Sequence, residues 1–398
     1  MSTPTVDTPS LSLTATKEEQ LLRETVAELA SSFGPSYYQQ ICREHRPPAE
    51  LWNALGEQGF LGVHLPAEYG GGGEGLAKLA IVMEELAAAG CPLAYLIISP
   101  GIVGTLLARH ATAAQAQRWL PGIASGASKL AFALTEPGAG SNSHAITTRA
   151  RREGDHYLLT GQKYYITGVE QAEAIVVVAR TGESASGRGL LSLLIVDADA
   201  DGVSRQSIPT ALEEPEEQST LFFDDVAVPG DRIIGAENDG LRVAFDGMNP
   251  ERILFAATAV GISRYALQKA CDYARGRQVF GAPIATYQAV AHPLAEGKLM
   301  LDQAALMTRA AAALFDAGAP AGELANTAKY AAAEAAAHCL DAAMQTHGGN
   351  GMALEYQLSN YWFMVRMLRI GPVSKEMILN YVAEHSLGLP RSYGAVKP

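Results

Sequence analysis

Leu134-Thr135-Glu136-Pro137-Gly138-Ala139-Gly140-Ser141-Asn142 is the stretch on which the reading of this chain turns. Phe132, Leu134 and Thr135 end a strand-like run. Pro137 then fixes one backbone torsion and removes a donor, and Gly138 and Gly140 reach conformations closed to other residues. Small side chains leave backbone N–H groups uncovered, while Thr135 and Ser141 add hydroxyls. Such a loop can lie flat against a planar heterocycle or hold an anion in a nest of amides. The competing reading is a plain Pro-Gly turn between two strands, and this stretch taken alone favours it.

A second stretch, Gly161-Gln162-Lys163-Tyr164-Tyr165-Ile166-Thr167-Gly168, is also strand-like. Alternation puts Tyr165 and Thr167 on one face. An aromatic wall with a hydroxyl donor beside it suits an isoalloxazine ring. With these two stretches the chain resembles the acyl-CoA dehydrogenase family. Thr135-Glu136-Pro137-Gly138-Ala139-Gly140-Ser141 resembles its flavin signature, and Lys163-Tyr164-Tyr165-Ile166-Thr167 its second signature. Two further stretches match in order, Arg277-Gln278-Val279-Phe280-Gly281 and Gln345-Thr346-His347-Gly348-Gly349-Asn350-Gly351. The resemblance runs from Leu65-Pro66-Ala67-Glu68-Tyr69-Gly70-Gly71 to the last helix.

Composition sets the outer bounds. A chain of 398 residues can bury a large core and divide into two or three domains. Hydrophobic residues at 48% and charged residues at 18% describe a globular protein. A formal net charge of -12 argues against nucleic acid and anionic membranes as partners. An anionic CoA ester needs only a local basic patch. Cys42, Cys91, Cys271 and Cys339 are far apart, as in the reduced thiols of a cytoplasmic protein, and make no metal or disulfide motif. The first residues lack the basic start and apolar core of a signal peptide, and no apolar run approaches the ~20 residues of a membrane span.

Along the chain, residues 1–15 are Ser/Thr/Pro-rich and are expected to be disordered. Thr16 with Glu19 forms a capping-box pattern. Helical patterns follow at about 17–33, 48–59, 75–90, 95–110 and 113–119, giving a helical domain over 16–127. From 128 to 237, Val, Ile, Thr and Tyr runs alternate with turn chemistry, which predicts a small antiparallel barrel or sandwich. The one Gly-x-Gly-x-x-Gly match, Gly70 to Gly75, lies between helical segments with no strand before it, so it is no dinucleotide fold. Residues 238–398 return to helix, with long stretches at about 240–275, 286–317, 321–346 and 359–386. Dense Ala lets such helices approach closely, and four of them predict a four-helix bundle.

Dehydrogenating an acyl thioester needs a hydride acceptor, which the protein itself lacks, and a base beside the α-carbon. Glu251, in Met248-Asn249-Pro250-Glu251-Arg252, is the candidate base. Pro250 either starts a helix or kinks a longer one. On residues alone, a solvated Glu near a helix start is the commoner arrangement. The resemblance reverses this. Most family members carry the base in the segment that is Arg366 to Glu376 here, and the matching position falls on Gly371 or Pro372. In the isovaleryl and long-chain types the base is the Glu of a Glu-Arg pair, which matches Glu251-Arg252. Glu376 is a weaker candidate.

The resemblance also implies FAD contacts at Phe132, Leu134, Thr135, Gly140, Ser141, Tyr165 and Thr167. It places Arg277, Phe280, Gln345 and Gly349 against the cofactor of a neighbouring subunit, adds Gln288 as a further cofactor contact, and implies substrate contacts at Ser141 and Arg252. A guanidinium fork such as Arg277 suits a diphosphate. A dimer would then be obligatory and a dimer of dimers (a homotetramer) expected. His347 has no metal-ligand partner at suitable spacing and reads as structural. Val373 or Ser374, Asn142 and Tyr165 depart from the family's usual Thr, Asp and Trp. The expected activity is FAD-dependent formation of a trans-2-enoyl thioester from an acyl-CoA or carrier-bound acyl group in fatty acid metabolism, with electrons passing to an electron-transfer flavoprotein. The alternatives are an oxidase or monooxygenase of the same fold, or a non-catalytic thioester-binding protein. The pocket floor is expected from helices near 90–105 and 245–256.

Overall fold

The computed structural model describes residues 15–391 apart from Ser186. The expected disordered start therefore lies almost wholly outside the described residues. Thr16 closes a capping box: its hydroxyl accepts from the Glu19 amide at 3.1 Å, and the Glu19 carboxylate accepts from the Thr16 amide at 3.0 Å. The helix it opens, α1 (Lys17–Glu44), passes the expected end at 33. Gly34, at φ 70°, bends it just before Pro35, and the helix resumes to Glu44. Then come α2 (Ala49–Glu57), α3 (Leu76–Ala88), the short α4 (Ala94–Leu96), a π-helical stretch Ile97–Gly104, α5 (Thr105–His110) and α6 (Ala113–Ser125). The π stretch holds Pro100, which lacks the N–H for an ordinary helical ladder.

The middle of the chain is one sheet of β1 (Leu130–Ala133), β2 (Arg149–Glu153), β3 (His156–Thr167), β4 (Ala174–Glu183), β5 (Gly189–Asp197), β6 (Val203–Ser207), β7 (Gln218–Pro229) and β8 (Ile233–Ile234). The order is β6-β7-β3-β2-β4-β5-β8, with β1 on β4. Most pairs are antiparallel as expected, but β1 runs parallel to β4, and β2 meets β4 in parallel at Arg149 and Arg180. The run Ala174 to Ala179 does not alternate, because β4 is covered on both faces. Ile175, Val177 and Ala179 join Tyr157, Leu159, Ile166, Phe223 and Val226 in the sheet's own core. Val176 and Val178 join Leu191, Leu193 and Ile195 against the helices.

Three long helices follow: α7 (Gly240–Gly276), α8 (Gln288–Asp316) and α9 (Gly322–His347), with the small hairpin β9 (Gln278–Val279) and β10 (Ala282–Pro283) between the first two. Ala259, Ala266 and Ala270 of α7, with Ala332, Ala336 and Ala343 of α9, are buried and let the helices pack closely. At Gly261 a Cβ would come within 2.3 Å of the Glu84 carbonyl, so α7 also lies directly on α3. The expected fourth long helix over 359–386 is broken. α10 (Trp362–Met367) ends before Gly371-Pro372, and α11 (Lys375–Tyr381) starts afresh, capped by the Ser374 hydroxyl accepting from the Met377 amide at 3.3 Å. Pro372 excludes Gly371 from helical torsions and offers no N–H. The C-terminal part is thus three long helices plus a broken fourth segment.

Candidate active site

The Pro-Gly turn closes on itself, with the Ala139 amide donating to the Glu136 carbonyl at 3.0 Å and the Glu136 amide to the Ala139 carbonyl at 3.2 Å. Glu136 holds the turn from below. Its carboxylate accepts from the Thr147 amide (2.7 Å), the Thr147 hydroxyl (2.7 Å), the Thr148 amide (2.9 Å) and the Lys163 ammonium (2.9 Å). Burial alone would raise this carboxyl. The Lys163 charge and the Thr147 and Thr148 donors outweigh it and hold the group down at about 2. Lys163 also donates to the Leu134 carbonyl at 2.9 Å, and the Tyr164 amide donates to the Thr135 carbonyl at 2.9 Å. The two sequence stretches are thereby stitched together.

What they present outward is open. A Cβ at Gly138 or Gly140 would meet nothing within 4 Å, and Ser141 is exposed. Phe132 and Leu134 are half-buried against the helical core. Tyr165 is 53% exposed and sits at φ 57°, a strained conformation for an aromatic residue. The β3–β7 register slips between Lys163 and Ile166, and this irregularity swings the Tyr165 ring out. It leans edge-on against Tyr164 with centroids 4.4 Å apart. An uncovered glycine backbone beside a projecting ring fits a flat heterocycle such as flavin. The Thr167 hydroxyl, expected as a donor to such a ring, donates instead to the Gln218 side-chain carbonyl at 3.0 Å.

Glu251 lies on α7 one residue past Pro250, which the helix accommodates in its interior. It is half-buried, and burial pushes its carboxyl up to about 7 despite the nearby positive charges of Arg252 and Lys329. Among the described residues no hydrogen-bond donor holds this carboxylate. Arg252 is buried, donates to the Asn249 side-chain carbonyl at 3.1 Å, and leaves its Nε without a partner. Lys329 of α9, 2% exposed, donates to the Val373 carbonyl at 2.6 Å. Burial lowers Lys329 to about 8, against the pull of Glu251. Glu376, the weaker candidate, is exposed. One turn beyond Glu251, Leu254 packs against the stretch Ile97–Gly104: a Cβ on Gly101 would come within 2.5 Å of its Cδ1.

Arg277, Phe280, Gln288, Gln345 and Gly349 are all exposed, Phe280 at 96%. They gather where α7 and α9 end and α8 begins. Glu251 and Arg277 are separated along α7 by roughly 40 Å at about 1.5 Å per residue. These residues are therefore not brought to Glu251 within one chain. His347 accepts no such role: it is buried, Nδ1 pairs with the Ala343 carbonyl at 2.7 Å, and it stacks on Tyr273 at 4.1 Å. Among the described residues no cluster of His, Cys, Asp or Glu could hold a metal ion, and no helix is long and apolar enough to cross a membrane.

Sequence reasoning missed Lys329, the Glu136–Lys163 pair and the acidic loop 213–217. Lys329 did carry a signal: it occupies the helical face of Ala325, Ala332 and Ala336, all buried, and a lysine on such a face has something to neutralise.

Three family models match in succession: Acyl-CoA dehydrogenase, N-terminal domain over residues 16–127, middle domain over 131–226 and C-terminal domain over 238–387. The chain is 48% identical to Acyl-CoA dehydrogenase FadE12 of Mycobacterium tuberculosis, over 95% of this chain and 98% of that one. It is 34% identical to the mitochondrial short-chain specific acyl-CoA dehydrogenase of Bos taurus, over 94% and 91%. Its structure matches butyryl-CoA dehydrogenase from Megasphaera elsdenii with a TM-score of 0.89 at 25% identity, covering 95% of this chain and all of that one.

Proposed function

We infer the activity from one premise: the chain belongs to the acyl-CoA dehydrogenase family. It is an oxidoreductase acting on CH–CH groups, with FAD as cofactor. The reading proposed here is α,β-dehydrogenation of an acyl-CoA to its trans-2-enoyl thioester, with electrons leaving to an electron-transfer flavoprotein. FAD, when bound, supplies the acceptor for the β-hydride. The turn at Gly138–Ser141, Tyr165 and Thr167 would hold its ring, with Phe132, Leu134 and Thr135 behind them.

Glu251 takes the α-proton. What supports this assignment is a carboxyl on α7 that accepts no hydrogen bond among the described residues, and that burial pushes up to about 7. A base so placed is substantially ionised at neutral pH and yet basic enough to accept a proton from carbon. Arg252 and Lys329 keep it ionised from two sides and do not themselves donate to it. Leu254, one turn from the base, packs on Gly101, and Leu254→Ala is expected to shift preference toward longer acyl chains.

Arg277, Phe280, Gln288, Gln345 and Gly349 cannot serve the site of their own chain at such a distance. We assign them to the cofactor of a second subunit, which makes the working form at least a homodimer. The parts 16–127, 128–237 and 238–398 are taken as the domains. The test is anaerobic bleaching of the flavin by a panel of acyl-CoAs, repeated with Glu251→Gln. Equal bleaching in parent and variant would remove Glu251 from the role.

A further inference from the structure

We propose that Glu214 and Gln218 are positioning residues that decide whether the Thr167 hydroxyl donates or accepts a hydrogen bond at the cofactor face. This rests on the reading that FAD lies against Thr167.

Thr167 and Gln218 face each other across β3 and β7 as register partners. The Thr167 hydroxyl donates to the Gln218 carbonyl oxygen at 3.0 Å, and the Gln218 amide nitrogen donates to Glu214 Oε1 at 2.8 Å. The loop carrying Glu214 is pinned beside this pair, because the Gly168 amide donates to the Glu217 carbonyl at 2.9 Å. A buried carboxyl thus ends a continuous chain of hydrogen bonds whose other end is a residue of the flavin signature.

A primary amide has a donor end and an acceptor end, so Gln218 can transmit a change of state. When Glu214 is ionised it can only accept. Gln218 must then turn its NH2 toward Glu214 and its oxygen toward Thr167. Thr167 spends its proton on that oxygen and offers only lone pairs outward. When Glu214 is protonated it can donate to the Gln218 oxygen. The amide then turns over, its NH2 donates to Thr167, and the Thr167 proton is freed to point outward.

The surroundings keep the carboxyl near this boundary. Burial raises Glu214 to about 7, with Glu170 adding to the effect and Gln218 opposing it. Its own loop also carries Glu213, the buried Glu216, whose charge opposes that of Glu214, and the exposed Glu217. Glu216 has neither oxygen hydrogen-bonded and is raised by burial to about 8. Glu170 approaches from the turn after β3 and Tyr38 and Cys42 from α1, while Tyr95 of α4 lies near Glu170 and Glu216. Lys129 is a cation on this side, near Glu216 and Glu170; it donates to the Gln171 side chain at 2.8 Å and sits 4.6 Å from the Trp52 ring centroid. The neighbourhood is mainly acidic, so it opposes ionisation of Glu214.

The test is the midpoint potential of bound FAD against pH, measured with redox dyes and no substrate, in the parent, Glu214→Gln, Gln218→Leu and Thr167→Val. An outward acceptor favours the reduced ring, which carries an extra N–H. The parent's potential should therefore rise relative to Glu214→Gln as pH passes from about 6 to about 8, around the Glu214 value of about 7. A tenfold change in the ratio of reduced to oxidised cofactor corresponds to about 30 mV for a two-electron couple. Gln218→Leu and Thr167→Val should lose the same pH-dependent difference. Parallel curves for parent and Glu214→Gln, or a difference that survives in Thr167→Val, overturn the proposal. So does a Gln218 side-chain amide signal in the apoprotein that ignores pH between 6 and 8 in an NMR titration. A parent that takes up FAD and shows the potential shift but is not bleached by any acyl-CoA overturns the dehydrogenase reading and leaves this one standing.

Discussion

Glu136 and Glu251 are both carboxyls set inside this protein with a buried lysine in reach. Glu136 accepts four hydrogen bonds, one of them from Lys163 itself, and is held at about 2. Glu251 accepts none among the described residues, and its lysine, Lys329, turns its proton donors to the Val373 carbonyl instead. Saturating a carboxylate makes it a strut: its charge is fully used in holding a turn. Leaving one unsatisfied, with cations near but not bonded, keeps it able to take a proton. In the function proposed above, the difference separates a residue that shapes the loop under the cofactor from one that can act on substrate.

The comparison is broken most directly by removing each acid. Glu251→Gln should slow anaerobic flavin bleaching by ~100- to 10,000-fold, the range for a lost general base, with the protein still yellow and folded. Glu136→Ala should behave in the reverse sense. It strands Lys163 without its counter-charge, and breaking a buried pair from one side costs about 3–5 kcal/mol. Urea unfolding reads this loss, and adding Lys163→Met should recover much of it. A Glu136→Ala protein as stable as its parent would mean the strut carries no load.

How much of this was legible in the sequence follows the same division. Repeating patterns over many residues were readable: the capping box at Thr16, the helices α7 to α9 and the buried run of β4 all follow from periodicity or from a residue type with one structural use. The two stretches proposed for the cofactor could be picked out, and Thr135 and Tyr164 do meet. The break at Gly371-Pro372 was written in the chain, but helical spacing on both sides of it masked a Pro that only forbids. Burial of a charge is a different matter. Nothing local to Glu136 or Lys329 says which will be saturated, because each depends on a partner far along the chain, Lys163 and Val373. The direction of the Thr167 hydroxyl likewise depends on Gln218, across the sheet.

The two carboxyls should also leave opposite marks on stability against pH. Glu136 is held below its ordinary value, so its contribution is complete above about 4.5 and disappears as pH falls toward about 2. Glu251 is held above it. Between about 4.5 and about 7 the folded chain keeps a proton that the unfolded chain has released, so stability falls as pH rises through that window. Glu251→Gln should therefore melt higher than the parent at pH 8, with the gap closing below about 4.5. Calorimetric melting curves at the two pH values check this. A gap that widens on acidification would mean that Glu251 is stabilised as the anion, like Glu136.

The smallest effect falls on the lysine. Lys329 does not touch Glu251, so its influence is only through space, and Lys329→Met should raise the base by roughly one pH unit. The acid limb of the bleaching rate should move up by that amount while the plateau at high pH is kept. Lys329→Arg should leave the limb near its original place, provided the guanidinium still reaches the Val373 carbonyl. Were Lys329 merely a tie between α9 and the broken segment, Met would lower the plateau and leave the limb where it was. The pH profile therefore separates a charge that tunes the base from a bond that fastens the loop, which is the distinction Lys163 does not allow, since there the two roles are one contact.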